Sequence, residues 1–247
     1  MSEEIKLPFK MSLSDPLSLW RARTFWSKEP ETIEWLKFFG NKKNSYCQIL
    51  VDVGANIGIY TLYWCSLNQN FHTISIEPFD ENHKLLVRNT DLNGYTEQVK
   101  IYKHSLSSKK SYGIIEVSDK RAGSSSFKFN SVDSQGLYSS NLVESTTLDI
   151  LLGEVEGQKI IKIDVDGNDF DILKGAKKSL MNKDIVSILI ESSENQQNEV
   201  NNFLLKFGFE SDDRFNNLAN HSDVRRKAQD KIERNRVYTR SHLINSH

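Results

Sequence analysis

Short β-branched apolar runs recur along the middle of the chain, and each is followed by a longer stretch with helical spacing. Residues 48–53 read as a strand and 59–68 as a helix, with Gly54-Ala55-Asn56-Ile57-Gly58 between them. Residues 73–76 make the next strand and 81–93 the next helix, stopped by Asn93-Gly94, and 99–104 a third strand. Further on, 160–165, 170–179, 185–190 and 194–207 repeat strand, helix, strand, helix. An unbroken apolar run suits a strand covered on both faces, whereas an apolar residue every third or fourth position suits a helix. Strands and helices alternating at this spacing imply parallel strands joined by right-handed crossovers, which predicts a doubly wound α/β sheet.

Two ends and one interior segment depart from that rhythm. Residues 1–45 mix aromatics with charge, and from Pro30 the positions Ile33, Leu36, Phe38 and Phe39 predict a short amphipathic helix ending at Gly40. We read this as a helical lead-in to one domain spanning 46–240, with 241–247 as a tail. Residues 107–145 are rich in Ser, Lys and Gly, and a connection of that length predicts a hairpin or flap, expected to line the acceptor wall. A helix should begin at Thr147-Leu148-Asp149. The charged stretch 223–235 predicts an exposed helix, and Val237-Tyr238 a closing strand.

Composition then narrows the function classes. The 247 residues carry 32 Lys and Arg against 33 Asp and Glu, a net charge of −1. Duplex nucleic acid is therefore not expected as a partner, because neutralising phosphates requires a basic excess. A mean hydropathy of −0.52 is that of a polar globular chain. Two cysteines, Cys47 and Cys65, make no disulfide framework. The first residues lack the basic and apolar regions of a signal peptide, and no run is long enough for a membrane span. A cytoplasmic location is the expectation.

The candidate chemistry starts where the first strand turns. Asp52-Val53-Gly54-Ala55-Asn56-Ile57-Gly58 runs from a strand into a helix, the geometry that presents a ligand at the carboxyl end of a sheet. A dinucleotide loop G-x-G-x-x-G counted from Gly54 would need glycine at positions 56 and 59, where this chain has Asn56 and Ile59. No Walker loop occurs either. An acid before the turn repels pyrophosphate and suits a ligand bearing ammonium or sulfonium. The second strand ends in Glu77-Pro78, where an acid can accept hydrogen bonds from both ribose hydroxyls of an adenosyl group.

Val51–Thr61 together with Ile161-Lys162-Ile163-Asp164-Val165-Asp166-Gly167 and Leu173-Lys174-Gly175-Ala176 resemble the two signature stretches of FkbM-type methyltransferases. The similarity extends to Glu29-Pro30-Glu31-Thr32, Glu77-Pro78, Thr147-Leu148-Asp149 and Glu191. One departure is that the second block has Asp164-x-Asp166-Gly167-Asn168-Asp169, where the family more usually has Asp-x-Glu-Gly-x-Glu. The resemblance implies a Rossmann-like, seven-stranded, mostly parallel sheet of the class I methyltransferases, with S-adenosyl-L-methionine as cofactor. It implies that Asp52, Gly54, Ala55, Asn56 and Gly58 hold the methionine part, with Thr61 beside them. Glu77 and Pro78 would hold the ribose, and Phe79, Ser105 and Leu106 the adenine edge.

Transfer to a hydroxyl requires a base, and Asp164 at the end of the fourth strand is the candidate catalytic residue. Lys162 and Asp166 flank it and are expected on the opposite face of the strand. Asp166, Glu191 and His104 are candidate acceptor-binding residues. Asn168 or Asp169 is expected to cap the helix that follows. No spaced His/Cys cluster suggests zinc, and no metal is assigned, although Asp164, Asp166 and Glu191 are hard oxygen ligands. The expected partner is a small-molecule or carbohydrate acceptor, the sugar class coming from the resemblance alone. The alternatives are a non-catalytic cofactor-binding protein on the same fold and a nucleotide-cofactor oxidoreductase, the latter disfavoured by the broken phosphate loop.

Overall fold

The computed structural model describes residues 6–14, 16–41, 48–117, 127–131, 142–165, 167–219 and 233–244. Helices α1 (Pro16–Lys28) and α2 (Pro30–Phe39) lead into β1 (Ile49–Val53), α3 (Ile59–Leu67), β2 (His72–Ile76), α4 (Asp80–Asn93) and β3 (Val99–Tyr102). An excursion follows as β4 (Ser105–Leu106), β5 (Ser111–Val117), β6 (Phe127–Ser131) and β7 (Leu142–Thr146). The chain returns through α5 (Leu148–Leu152), β8 (Lys159–Ile163), α6 (Asp169–Lys174), α7 (Lys177–Met181), β9 (Ile185–Ser193) and α8 (Glu194–Leu205). It closes with β10 (Phe209–Ser211), α9 (Asp213–Ala219), β11 (Glu233–Arg240) and α10 (Ser241–Ile244).

Seven strands form the main sheet in the order β10-β11-β9-β8-β1-β2-β3. The five from β9 to β3 run parallel, and β11 is antiparallel to both its neighbours. From β1 the chain moves outward to β2 and β3, then crosses back to β8 on the other side of β1. A crevice therefore opens above the carboxyl ends of β1 and β8, at the point where strand order reverses.

Strand alternation divides the core in two. Val51, Val53, Ile161, Ile163, Ile188 and Ile190 pack with Leu148, Leu173, Leu180 and Leu204 on the side of α5 to α8. Leu50, Ile160, Leu189 and Val237 pack with Phe25, Trp35, Leu36, Leu62 and Trp64 on the side of α1 to α3. Burying each such side chain contributes about 1.5–3 kcal/mol, so the sheet holds its carboxyl ends rigidly. On the second face, the alternating positions turn polar toward the crevice: Ser75 and Glu77, Asp52, Lys162 and Asp164, Glu191, and Asn235.

Several elements differ from the sequence reading. The third strand stops at Tyr102 rather than residue 104, because the chain leaves for a second sheet of order β4-β7-β5-β6. The expected hairpin is present as antiparallel β5 and β6, but β7 and β4 extend it into four strands. The helix expected over 170–179 is two short helices. They break at Gly175, whose missing Cβ would sit 2.4 Å from the carbonyl oxygen of Ser107. The fourth strand ends at Ile163, and the helix after β9 ends at Leu205. Of the charged stretch expected to be helical, Glu233–Asn235 is already strand β11, paired with Ser193–Glu191, and 220–232 lie outside the described residues.

Candidate active site

The turn after β1 is built by backbone bonds and by two glycines. Gly54 and Ala55 donate their N–H groups to the carbonyl of Ile76, both at 3.0 Å, and Asp164 donates to the carbonyl of Val53 at 3.1 Å. Gly54 has φ +78°, and a Cβ there would lie 2.0 Å from the carbonyl oxygen of Asp164. The turn and Asp164 are thus in direct backbone contact. Asn56 also adopts a positive φ of 53°, which its short amide tolerates because Oδ1 accepts from Ile57 N at 2.9 Å. Gly58 begins α3 at φ +89°, with Leu86 filling the space a Cβ would take.

Glu77 closes the turn from the β2 side. Its two carboxylate oxygens accept from Asn56 N at 2.8 Å and Phe79 N at 2.9 Å. The side chain is fully buried, and loss of solvent pushes its pKa up to about 7 despite those two donors. Asp52 is buried as well. Its Oδ2 accepts from the Thr61 hydroxyl at 2.7 Å, and that hydroxyl also meets Ser75 Oγ at 2.8 Å. Among the described residues no donor reaches Asp52 Oδ1. Burial raises the pKa of Asp52, and the charge of Lys162 opposes that rise.

Lys162 is the centre of a buried charge cluster beside the turn. Its ammonium donates to Asp164 Oδ2 at 2.8 Å and lies 5.1 Å from the centre of the Tyr60 ring. The expectation that Lys162 and Asp164 face opposite ways is therefore wrong. Positions two apart on a strand return to the same face, and here an ion pair results. Tyr60 Oη donates to Glu29 Oε2 at 2.7 Å, and Glu29 Oε1 accepts from Lys28. Glu29 precedes α2 but makes no side-chain cap bond to it, its carboxylate being turned instead toward Lys28 and Tyr60.

The charges in this cluster adjust one another. Burial alone would disfavour the charged form of Lys162, but Asp164, Asp52 and Glu29 outweigh it and hold its pKa above the usual value. Burial likewise opposes ionisation of Asp164 and Glu29. Lys162 nevertheless holds Asp164 below the ordinary carboxylate range, and Lys28 with Lys162 holds Glu29 well below it. Burial, then the charge of Glu29, drives the Tyr60 phenol well above its usual pKa. The side chain of Asp164 keeps 26% of its surface exposed while Lys162 keeps 1%, so Asp164 is the member of the pair that a ligand can reach.

The remaining candidates fall around this centre. Thr61 lies behind Asp52 and orients it, Pro78 and Phe79 are half-buried at the head of α4, and Ser105 and Leu106 are buried in β4. The carbonyl of Leu106 accepts from Asn168 Nδ2 at 3.2 Å, tying β4 to the loop after β8. Asn168 stands at the N-cap position of α6 as expected, but its side chain makes no cap hydrogen bond. Asp169 is the first residue of that helix and reaches back to Val165 N at 3.0 Å and Gly167 N at 3.1 Å, pinning the loop instead. Burial pushes its pKa up to about 6. His104 packs edge-on against Tyr102. Glu191 sits opposite Asn235 in the β9–β11 ladder, and Asp166 lies outside the described residues. Among the described residues no group of three or more His, Cys, Asp or Glu is arranged to hold a metal ion.

The sequence reading did not assign site roles to Glu29, Tyr60 or Lys162. A lysine inside the apolar strand Lys159–Ile163 was the available signal, since a charge in a central strand must find a partner. Asn235 was also missed. Its Nδ2 donates to Glu31 Oε1 at 2.9 Å and Thr32 Oγ1 at 3.4 Å, clasping β11 to the start of α2.

The family model described as Methyltransferase FkbM domain matches residues 52–211. No curated protein matches the chain. Among solved structures, the METTL16 MTase domain in its second crystal form superposes with a TM-score of 0.50 at 13% identity, covering 96% of this chain and 75% of that one. Human methyltransferase 10 domain containing protein gives a TM-score of 0.47 at 12% identity, covering 87% and 82%. M. capricolum TrmK, in complex with S-adenosyl-homocysteine, gives 0.45 at 11% identity, covering 85% and 67%. At these identities the likeness is one of fold. No helix among the described residues is long and apolar enough to cross a membrane.

Proposed function

The chain belongs to the FkbM methyltransferase domain family, and from that premise we propose that it moves a methyl group from S-adenosyl-L-methionine to a hydroxyl of a sugar or glycan precursor. The observation that carries this reading is the buried Asp52 carboxylate, whose Oδ1 no described donor reaches, directly beneath a turn in backbone contact with Asp164. A buried, unsatisfied carboxylate oxygen is costly unless a ligand supplies the missing donor. The ammonium of S-adenosyl-L-methionine fits that need. When bound, the donor supplies an electrophilic methyl group on a sulfonium.

Every other contribution comes from the chain itself. Asp52, Gly54, Ala55, Asn56 and Gly58 would hold the methionine part, and Glu77 with Pro78 the ribose. Phe79, Ser105 and Leu106 would border the adenine. Asp164 would accept a hydrogen bond from the acceptor hydroxyl, aim its lone pair at the methyl carbon, and take the proton as the oxygen–carbon bond forms. Such alignment is worth about 7–11 kcal/mol of barrier when the geometry is fixed in advance.

The surroundings favour a neutral polyol over a phosphate-bearing acceptor, because Asp164 shares its charge cluster with Glu29 and Asp52, against Lys28 and Lys162, and a polyanion would meet the excess of carboxylates.

A mass-shift screen with isotopically labelled donor tests the reading, using glycans, nucleotide sugars, free sugars and RNA as acceptors. Label on a sugar hydroxyl supports it. Label on RNA alone overturns the acceptor class. Binding of S-adenosylhomocysteine without methylation of any acceptor favours a cofactor-binding protein, and preferential binding of NADH favours an oxidoreductase.

A further inference from the structure

Asp164 does not stand alone at the acceptor end. Its Oδ2 is held by an ammonium that has almost no exposure, and that ammonium lies against the face of Tyr60. Tyr60 in turn donates to Glu29, which is fixed by Lys28. The chain of contacts thus runs from the lead-in, through α3, to the loop after β8. Residues Lys28 and Glu29 lie outside the 52–211 segment matched by the family model.

We infer that Lys162 is the positioning residue of the reaction centre: it fixes the orientation and charge of Asp164, with Glu29 as the counter-charge that the lead-in brings to it. This rests on the reading of Asp164 as the group that receives the acceptor hydroxyl. A structural ion pair alone would not need such an arrangement, since buried pairs are commonly replaceable by packed apolar groups. Here one partner is buried and the other opens to the crevice, so the pair delivers a fixed carboxylate to the surface. With Oδ2 held, Oδ1 is the oxygen offered to the acceptor.

The charged and titratable groups that face the pair set the sign of the test. They are Asp52 from β1, Lys28 and Glu29 at the junction of α1 and α2, Tyr60 from α3, and Asp169 at the head of α6. Glu191 lies one position beyond Ile190, the β9 partner of Ile163. Lys162 and Lys28 favour ionised Asp164, whereas Glu29 and the other acids oppose it. Removing Lys162 must therefore raise the titration midpoint of Asp164, and removing the charge of Glu29 must lower it or leave it in place.

The experiment follows the Asp164 carboxyl carbon by NMR in the full chain, assigned by its loss in Asp164→Asn, alongside the pH profile of kcat/KM. In Lys162→Met the Asp164 midpoint and the acid limb of the profile should both rise by more than about one pH unit. In Lys162→Arg both should return toward wild type, because the positive charge is restored. In Glu29→Gln neither should rise. A Lys162→Met protein that melts earlier yet keeps the wild-type midpoint and limb would make the pair merely structural and overturn the inference. If Lys162→Met does not fold, the wild type and Glu29→Gln decide. An Asp164 midpoint below the ordinary carboxylate value that does not rise in Glu29→Gln supports the inference, and a midpoint at or above that value, or one that rises in Glu29→Gln, overturns it. If the wild type binds S-adenosylhomocysteine but methylates no sugar hydroxyl, the proposed function fails, and the NMR titration alone decides the role of Lys162.

Discussion

Replacing Gly54 with alanine tests the contact on which both halves of the site depend. The backbone at Gly54 has φ +78°, a region that costs an L-residue about 1–2 kcal/mol. The added Cβ would also lie 2.0 Å from the carbonyl oxygen of Asp164 and 2.9 Å from its carbonyl carbon. These are backbone atoms, so no side chain can swing away, and the turn must separate from the loop after β8. Overpacking of this kind costs about 1–3 kcal/mol, and the two terms together give about 2–5 kcal/mol, a large part of ordinary domain stability. Gly94 supplies the control. It has φ +70° with nothing within 4 Å of its missing Cβ, so Gly94→Ala should show the conformational cost alone, about 1–2 kcal/mol.

Urea unfolding of wild type, Gly54→Ala and Gly94→Ala measures the stability difference, provided the slopes agree. Calorimetric titration with S-adenosylhomocysteine and turnover with the acceptor found in the screen measure the site. A shift of the turn by about 1 Å should lower turnover on the order of 100-fold, with weaker donor binding, while Gly94→Ala keeps both. Equal stability losses in the two variants, with donor affinity retained in Gly54→Ala, would refute the claim that the turn and Asp164 are locked together.

Asp52→Asn should weaken S-adenosylhomocysteine binding at least about tenfold in calorimetry, since the ammonium loses its charged partner. Unchanged affinity would remove Asp52 from donor binding. Glu77, raised to about 7 by burial, should make donor binding pH-dependent. Ribose hydroxyls favour its carboxylate, so binding releases a proton and affinity should rise as pH climbs through about 7 in wild type but lose that component in Glu77→Gln. The same shift bears on stability with the opposite slope. The folded pKa lies above the ordinary carboxylate value, so Glu77's stabilising contribution is full below that value and declines as pH rises through about 7. Arg240→Ala should cost at least about 3 kcal/mol in urea unfolding, because its guanidinium donates to the carbonyls of Ile185, Leu180 and Asn182 at 2.9, 2.8 and 2.6 Å. Its donor affinity should stay near wild type, and a parallel loss of affinity would show that the β11 end reaches the donor site.

The two halves of the site differed in how far they could be read from sequence, and the reason is physical. The proposed donor half is one contiguous stretch that turns the chain between β1 and α3, so Asp52, Gly54 and Gly58 announce themselves by spacing. That β1, β2, β3, β8 and β9 run parallel was legible for a similar reason, since each apolar run and its following helix carry their own period, whereas their order in the sheet was not. Strand β10 has only three residues, too few for any period to register. Lys162 and Asp164 stand two apart along one strand, so parity puts them on the same face and their pairing was legible in the sequence.

The other acceptor-side contacts are tertiary. Tyr60 reaches Glu29 across 31 residues, and Asn235 reaches Glu31 across 204, so no motif or period joins them. Glu29, Glu31, Thr32 and Asn235 also lie outside the matched family segment, whereas Asp52, Glu77 and Asp164 lie within it. Glu31, Thr32 and Asn235 are buried, and β11 also pairs with β9 in the main sheet, so the clasp between α2 and β11 acts on the site by holding its frame rather than by touching an acceptor. Asn235→Ala should therefore lower stability in urea unfolding by about 1–3 kcal/mol while leaving S-adenosylhomocysteine affinity in place, and a loss of affinity without a loss of stability would show that the clasp reaches the donor site.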